Sequence, residues 1–168
     1  MPQLPILEHP DPRLRLPSAP VTTFDGNLAK LIDDLLETLH ATRSIGISAP
    51  QVNDQRQVLI THVGGDGSEP QVYANPEILS RAKLGFVEES CLSVPGVVAS
   101  IWRHTNVRVR AQDRYGELFE HDLTGMAAVC LQHEMDHLEG KLFVDRLSPI
   151  RRFFNRPAAK AQARKAKV

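Results

Sequence analysis

The segment "VCLQHEMDHLEG" at residues 129–140 constrains this chain more than any other. It sets His133 and His137 four apart, with Glu134 beside the first. On a helix that spacing puts both imidazoles on one face, one turn apart, where they can share a metal ion. Two ligands are too few. A catalytic site usually takes three from the protein and leaves a position open for chemistry. The fold must therefore wrap this helix and deliver a third ligand from elsewhere in the chain.

The rest of the sequence supplies the elements to do so. Leu28, Leu31, Ile32, Leu35, Leu36 and Leu39 follow the helical stripe, predicting an amphipathic helix that opens at Asp25 or Asn27 and ends near Thr42. "RQVLITHV" and "EPQVYAN" read as strands joined by the turn "GGDG". "TNVRVRAQD" and "ELFEHDL" alternate around "RYG" and predict a hairpin. Thr124 can cap the metal-site helix, which runs to about Leu138 with Gly140 as its stop. Six prolines in the first 20 residues predict an ordered loop or extended arm. The fold class is α+β: short antiparallel strands packed around a central H-E-x-x-H helix, with an N-terminal amphipathic helix and a C-terminal basic helix. Pro157 should break or kink that last helix.

Three positions compete to be the third ligand. A glycine followed by a third histidine is one metalloprotease pattern. Gly140 is present, but Phe143 occupies the histidine position and cannot ligate a metal. Cys130 lies on the helix itself, about 7.5 Å along the axis from a metal level with position 135. A cysteine cannot span that distance and still form a bond of about 2.3 Å. Cys91, in "VEESCLSVPGV", sits on a strand entering a turn and is the better of the two thiols.

The charge is zero overall but unevenly spread. Eight basic and no acidic residues follow Asp145, leaving 12 basic against 20 acidic in residues 1–145, a balance of −8. No apolar run is long enough to span a membrane, and "MPQLPILEHPDPRLR" has neither the charge order nor the apolar region of a signal peptide. A cytoplasmic location is the expectation, with Cys91 and Cys130 free or ligating rather than paired.

"GISAPQ" (residues 46–51), "EESCLS" (88–93) and "QHEMDHLEG" (132–140) follow one another in the order and spacing of the three motifs of peptide deformylases, which the chain resembles over nearly its whole length. "HPDPRLR" and "GKLFVDRLSP" are similar to bacterial members. The resemblance implies residues 1–147 as a catalytic domain and 148–168 as a basic extension. It implies a hydrolase that removes the N-formyl group from newly made chains beginning with formylmethionine. Cys91, His133 and His137 would hold one divalent ion, Fe²⁺ in the first place, with Zn²⁺, Ni²⁺ or Co²⁺ able to substitute. Glu134 would be the acid/base, and the Gln51 amide and Leu92 N–H the oxyanion donors. By position, Met126, Val129, Cys130 and His133 would wall the methionine pocket, with Ile45, Gly46 and Ser90 also against substrate.

Three positions depart from the family pattern: Ser44, Ser48 and Ser90 stand where glycine, alanine and glycine are usual, which bears on rate and substrate preference. Asp136 has two readings, a partner that orients a ligand histidine or the partner of a surface arginine such as Arg103. The basic tail is either a solvated extension or a contact for ribosomal RNA phosphates. It carries no base-reading motif, so no sequence-specific nucleic-acid binding is expected. The rival functions are a zinc endopeptidase and a catalytically weak paralogue that binds nascent peptides or the ribosome.

Overall fold

The structure, a computed structural model, describes residues 3–64 and 67–149. The first helix, α1, spans Gly26–Thr42. Asp25 caps it, its Oδ1 accepting from the Leu28 N–H at 3.0 Å and so satisfying one of the donors a helix start leaves open. Leu28, Leu31, Ile32, Leu35 and Leu39 are buried along one stripe, and Leu36 is partly buried. Arg43, in left-handed geometry with φ 52°, ends the helix and turns the chain into the sheet.

One antiparallel sheet follows in chain order: β1 (Gly46–Ser48), β2 (Val58–Thr61), β3 (Gln71–Cys91), β4 (Val94–Gln112) and β5 (Leu118–Thr124). Among the described residues the class is a mixed α/β fold with two α-helices and an antiparallel sheet. The strands are not all short, however. β3 and β4 run 21 and 19 residues as one long hairpin. Residues 79–84 are exposed throughout, so no core imposes an alternation there that a sequence could display. Register shifts occur between Ala74 and Glu77, a stretch that contains Pro76, and between Ile78 and Ser80, the kind of irregularity at which strands bend.

The second helix, α2, spans Gly125–Leu138 and packs against β1, β2, β4 and β5. Every residue from Ala128 to Glu134 is buried. A helix buried nearly all round shows little amphipathic contrast, so its motif marks it better than its periodicity does. Thr124 stands at its N-cap but makes no side-chain capping bond; the turn into the helix falls instead to Gly125, at φ 57°. Gly140 closes it at φ 70°, where any Cβ would collide with the Arg15 carbonyl.

The proline-rich arm is ordered by backbone bonds to both ends of the site. Leu7 N–H donates to the Gln51 carbonyl at 2.7 Å, and His9 N–H to the Ser93 carbonyl at 2.7 Å. Apolar packing falls into three clusters: α1 on β1 and β2, α2 on the sheet, and the 91–101 hairpin end against Leu142, Phe143, Val144 and Leu147. No helix among the described residues is long and apolar enough to cross a membrane. The basic helix expected at the C-terminus, with its break at Pro157, lies outside the described residues apart from Ser148 and Pro149.

Candidate active site

The end of the β3–β4 hairpin lies beside α2. Cys91 is the last residue of β3, and a register irregularity between Ser90 and Cys91 precedes the turn at Leu92 and Ser93. It brings Cys91 Sγ within 3.3 Å of His137 Nε2. The ligand atoms of Cys91, His133 and His137 all lie within 4.8 Å of one another, the spacing of donors around one ion. Cys130 is not in this group: its thiol donates to the Ile45 carbonyl at 3.2 Å, and burial, with Glu134 and Glu89 nearby, pushes its pKa up. A protonated thiol is the wrong form for a ligand. Phe143, at the position where one metalloprotease pattern has histidine, stacks 5.9 Å from the His133 ring.

The donor chemistry fits a divalent ion. His133 Nδ1 lies 2.7 Å from Glu89 Oε2. Burial would raise the Glu89 pKa, but hydrogen bonds from His133 and Arg103 and the Arg103 charge outweigh it and hold the carboxyl at about 2. An ionised carboxylate only accepts, so Nδ1 carries the hydrogen and Nε2 keeps its lone pair for a metal. His137 is held neutral by burial and by the positive groups around it, the state a ligand needs. His133 binds a proton more tightly than free imidazole does: burial acts the other way, but Cys91 and Glu89 prevail. Metal and proton therefore compete at Nε2.

Glu89 was not foreseen as part of the site, nor was what stands behind it. Arg103 is 2% exposed, so it is no surface arginine. Its Nε donates to Glu89 at 2.7 Å and its Nη1 to Asp136 at 2.6 Å. Asp136 also takes Arg146 through bonds of 2.9 and 2.7 Å. The two readings of Asp136 thus merge: it pairs with Arg103, and through Arg103 and Glu89 it reaches the imidazole. Sequence offered one signal. Glu89 and Cys91 are two apart on a strand and share a face. Replacing Arg103 by Met would leave the buried Glu89 carboxylate without its guanidinium, while Asp136 would keep Arg146. We expect a loss of about 3–5 kcal/mol, read as a lowered urea midpoint with unchanged slope. A variant of wild-type stability would show that the pair does not hold the site together.

A cleft of about 570 Å³ opens in front of these residues. Met126, Val129, Cys130 and His133 line one side of it, and Ile45, Gly46, Ser90 and Leu92 also border it. His137 is 1% exposed and lies outside the lining. Gly46 permits the close approach of β1 to α2: a Cβ there would stand 2.6 Å from Glu134 Oε1 and 2.7 Å from Cys130 Sγ. Glu134 is 4% exposed, and burial raises its carboxyl to about 7 despite the opposing effects of His133, Ser48 and Arg103. Gln51 begins the far wall, its Nε2 donating to Ser93 Oγ at 3.2 Å and facing Cys91 Sγ at 3.8 Å. Among the three departures, Ser44 Oγ donates to the Gly46 carbonyl at 2.9 Å, Ser48 is fully buried and Ser90 stands exposed at the rim.

The polypeptide deformylase family profile matches residues 3–153. This chain belongs to the polypeptide deformylase family. The peptide deformylase of Hahella chejuensis is 48% identical over 153 residues, covering 90% of this chain and 91% of that one. The peptide deformylase of Saccharophagus degradans is 47% identical over 165 residues, 97% of this chain and 95% of the relative. Among solved structures, a peptide deformylase from Legionella pneumophila superposes with a TM-score of 0.92 at 42% identity, covering 99% of both chains. The Ehrlichia chaffeensis enzyme in complex with actinonin gives 0.88 at 34% identity, again over 99% of each. Both likenesses span the whole deformylase fold rather than the helix motif alone.

Proposed function

We propose that this deformylase removes the formyl group from the N-terminal methionine of newly made chains, with Cys91, His133 and His137 as metal ligands and Glu134 as the acid/base. The observation that carries the reading is the convergence of one thiol and two imidazoles within 4.8 Å, beside a buried glutamate in the same cleft. A divalent ion, Fe²⁺ in the first place, supplies Lewis acidity and lowers the pKa of water toward neutrality.

The chain's own residues do the rest. Glu134 takes a proton from the attacking water and returns it to the departing amine. Gln51 Nε2–H and the Leu92 N–H offer donors where the formyl oxygen gains charge, fixed before the reaction begins. The apolar wall of Met126, Val129 and Cys130 receives the methionine side chain. A site shaped closely around the formyl carbon would reject larger acyl groups. The work belongs where chains are being made, in the cytoplasm, and the positive charge after Asp145 suits it to a contact with ribosomal phosphates.

Formate release from a formyl-methionyl tripeptide, measured anaerobically with ferrous-loaded protein against a chelator-stripped blank, tests the reaction. Rapid release is expected, with little turnover of the acetyl-methionyl analogue and no cut at internal bonds. Internal cleavage would favour an endopeptidase. Tight peptide binding without release would favour a weak paralogue.

A further inference from the structure

Ser48 is the departure from the family pattern that lies deepest, 0% exposed at the end of β1. Its hydroxyl lies within reach of two groups, the Gln51 amide oxygen and the Glu134 carboxyl. From its contacts we propose that Ser48 is a positioning residue that locks the side-chain amide of Gln51 in the orientation that turns its N–H groups toward the cleft. This rests on the reading of Gln51 as an oxyanion donor.

A glutamine amide has two ends of nearly equal size, and only hydrogen bonding distinguishes them. Here one end receives two donors from a single residue. The Ser48 backbone N–H reaches Gln51 Oε1 at 2.9 Å, and the Ser48 hydroxyl reaches the same oxygen at 3.0 Å. A flipped amide would set its NH₂ against the Ser48 N–H, which has no acceptor to offer. Orientation is thereby fixed, and Nε2 must face Ser93 Oγ and Cys91 Sγ.

Ser93, also 0% exposed, occupies one N–H of Nε2 and leaves the second for the Cys91 side of the cleft. Two bonds accepted at Oε1 also polarise the amide and strengthen the N–H groups as donors. The N-terminal arm steadies both ends, since Leu7 N–H holds the Gln51 carbonyl and His9 N–H the Ser93 carbonyl. Alanine at position 48 would keep the backbone donor and lose the hydroxyl. The amide would keep its orientation and lose one of the two bonds accepted at Oε1, and with it part of its rigidity and polarisation.

The Ser48 hydroxyl also neighbours the Glu134 carboxyl, so the test must separate the two partners. A double-mutant cycle does so, with kcat and KM measured on a formyl-methionyl tripeptide for the metal-loaded wild type, Ser48→Ala, Gln51→Ala and the double variant. Ser48→Ala should lower kcat roughly 3–10-fold with KM nearly constant, the size expected for one hydrogen bond that matters in the transition state. On the Gln51→Ala background the same change should alter kcat less than twofold. Metal content and melting temperature should match the wild type.

A slow Gln51→Ala alongside an unimpaired Ser48→Ala overturns this proposal alone. An equal Ser48→Ala loss on both backgrounds overturns it too, by placing the effect on Glu134. Loss of metal or of fold in Ser48→Ala would assign the residue to the scaffold instead. A fully active Gln51→Ala removes the oxyanion reading on which the clamp depends, while leaving the deformylase reaction itself in place.

Discussion

Cys91→Ala should emerge from purification without its divalent ion and release no formate above the blank, while Cys130→Ala should keep the ion. The two thiols differ in everything a ligand needs. Cys91 lies 3.3 Å from His137 Nε2 in the donor set, whereas Cys130 donates its hydrogen to the Ile45 carbonyl. Removing Cys91 leaves two imidazoles and no anionic ligand for the ion. Disturbing only the groups behind a metal's ligands costs about 10–100-fold in affinity, so deleting the charged ligand itself should exceed that range.

The fold should survive. Cys91 is only half-buried, and the cluster beneath it is built from Val94, Val97, Ile101 and the Leu142–Leu147 segment. Metal content by mass spectrometry after dialysis, with circular dichroism as the check on folding, decides the matter. A metal-free Cys130→Ala beside a metal-replete Cys91→Ala would reverse the assignment of the ligand.

The parts of this site that sequence reveals are those encoded at short range. The His133–Glu134–His137 spacing, the α1 stripe and the Asp25 cap each depend on residues within a few positions of one another. The Arg103 network depends instead on hairpin register. Gly85 opposite Arg103 and Glu89 opposite Ala99 put the guanidinium and the carboxylate on one face, four residues apart along the arm. No local pattern announces that register, and an isolated arginine on a strand reads as a solvated charge. The long β3–β4 arm was hidden for a related reason, because exposed residues carry no periodicity imposed by a core. The role of Ser48 needed both, since its hydroxyl gains meaning only once Gln51 is seen folded back upon it.

Glu134→Gln should retain the metal and lower kcat on the order of 10²–10⁴-fold, the range for loss of a positioned proton-transfer group. Glutamine keeps the volume of the side chain but cannot carry a proton between water and amine. The two roles of this residue also separate by pH. As a base it must be ionised, and burial, partly opposed by His133, Ser48 and Arg103, raises it to about 7. The wild-type rate should therefore rise with pH through an acid limb at or below about 7, a bound cation moving the limb lower, and then level off.

Stability runs the opposite way. The folded carboxyl holds its proton up to about 7, while an unfolded one releases it near 4.5. Over that window the folded state binds more protons, so raising the pH costs stability. Glu134→Gln removes the cost along with the catalysis, and its melting temperature should equal or exceed that of the wild type at pH 8. A slow variant that also melts early would mean that the carboxylate holds the helix in place, and that the lost rate reflects a displaced site rather than a missing base.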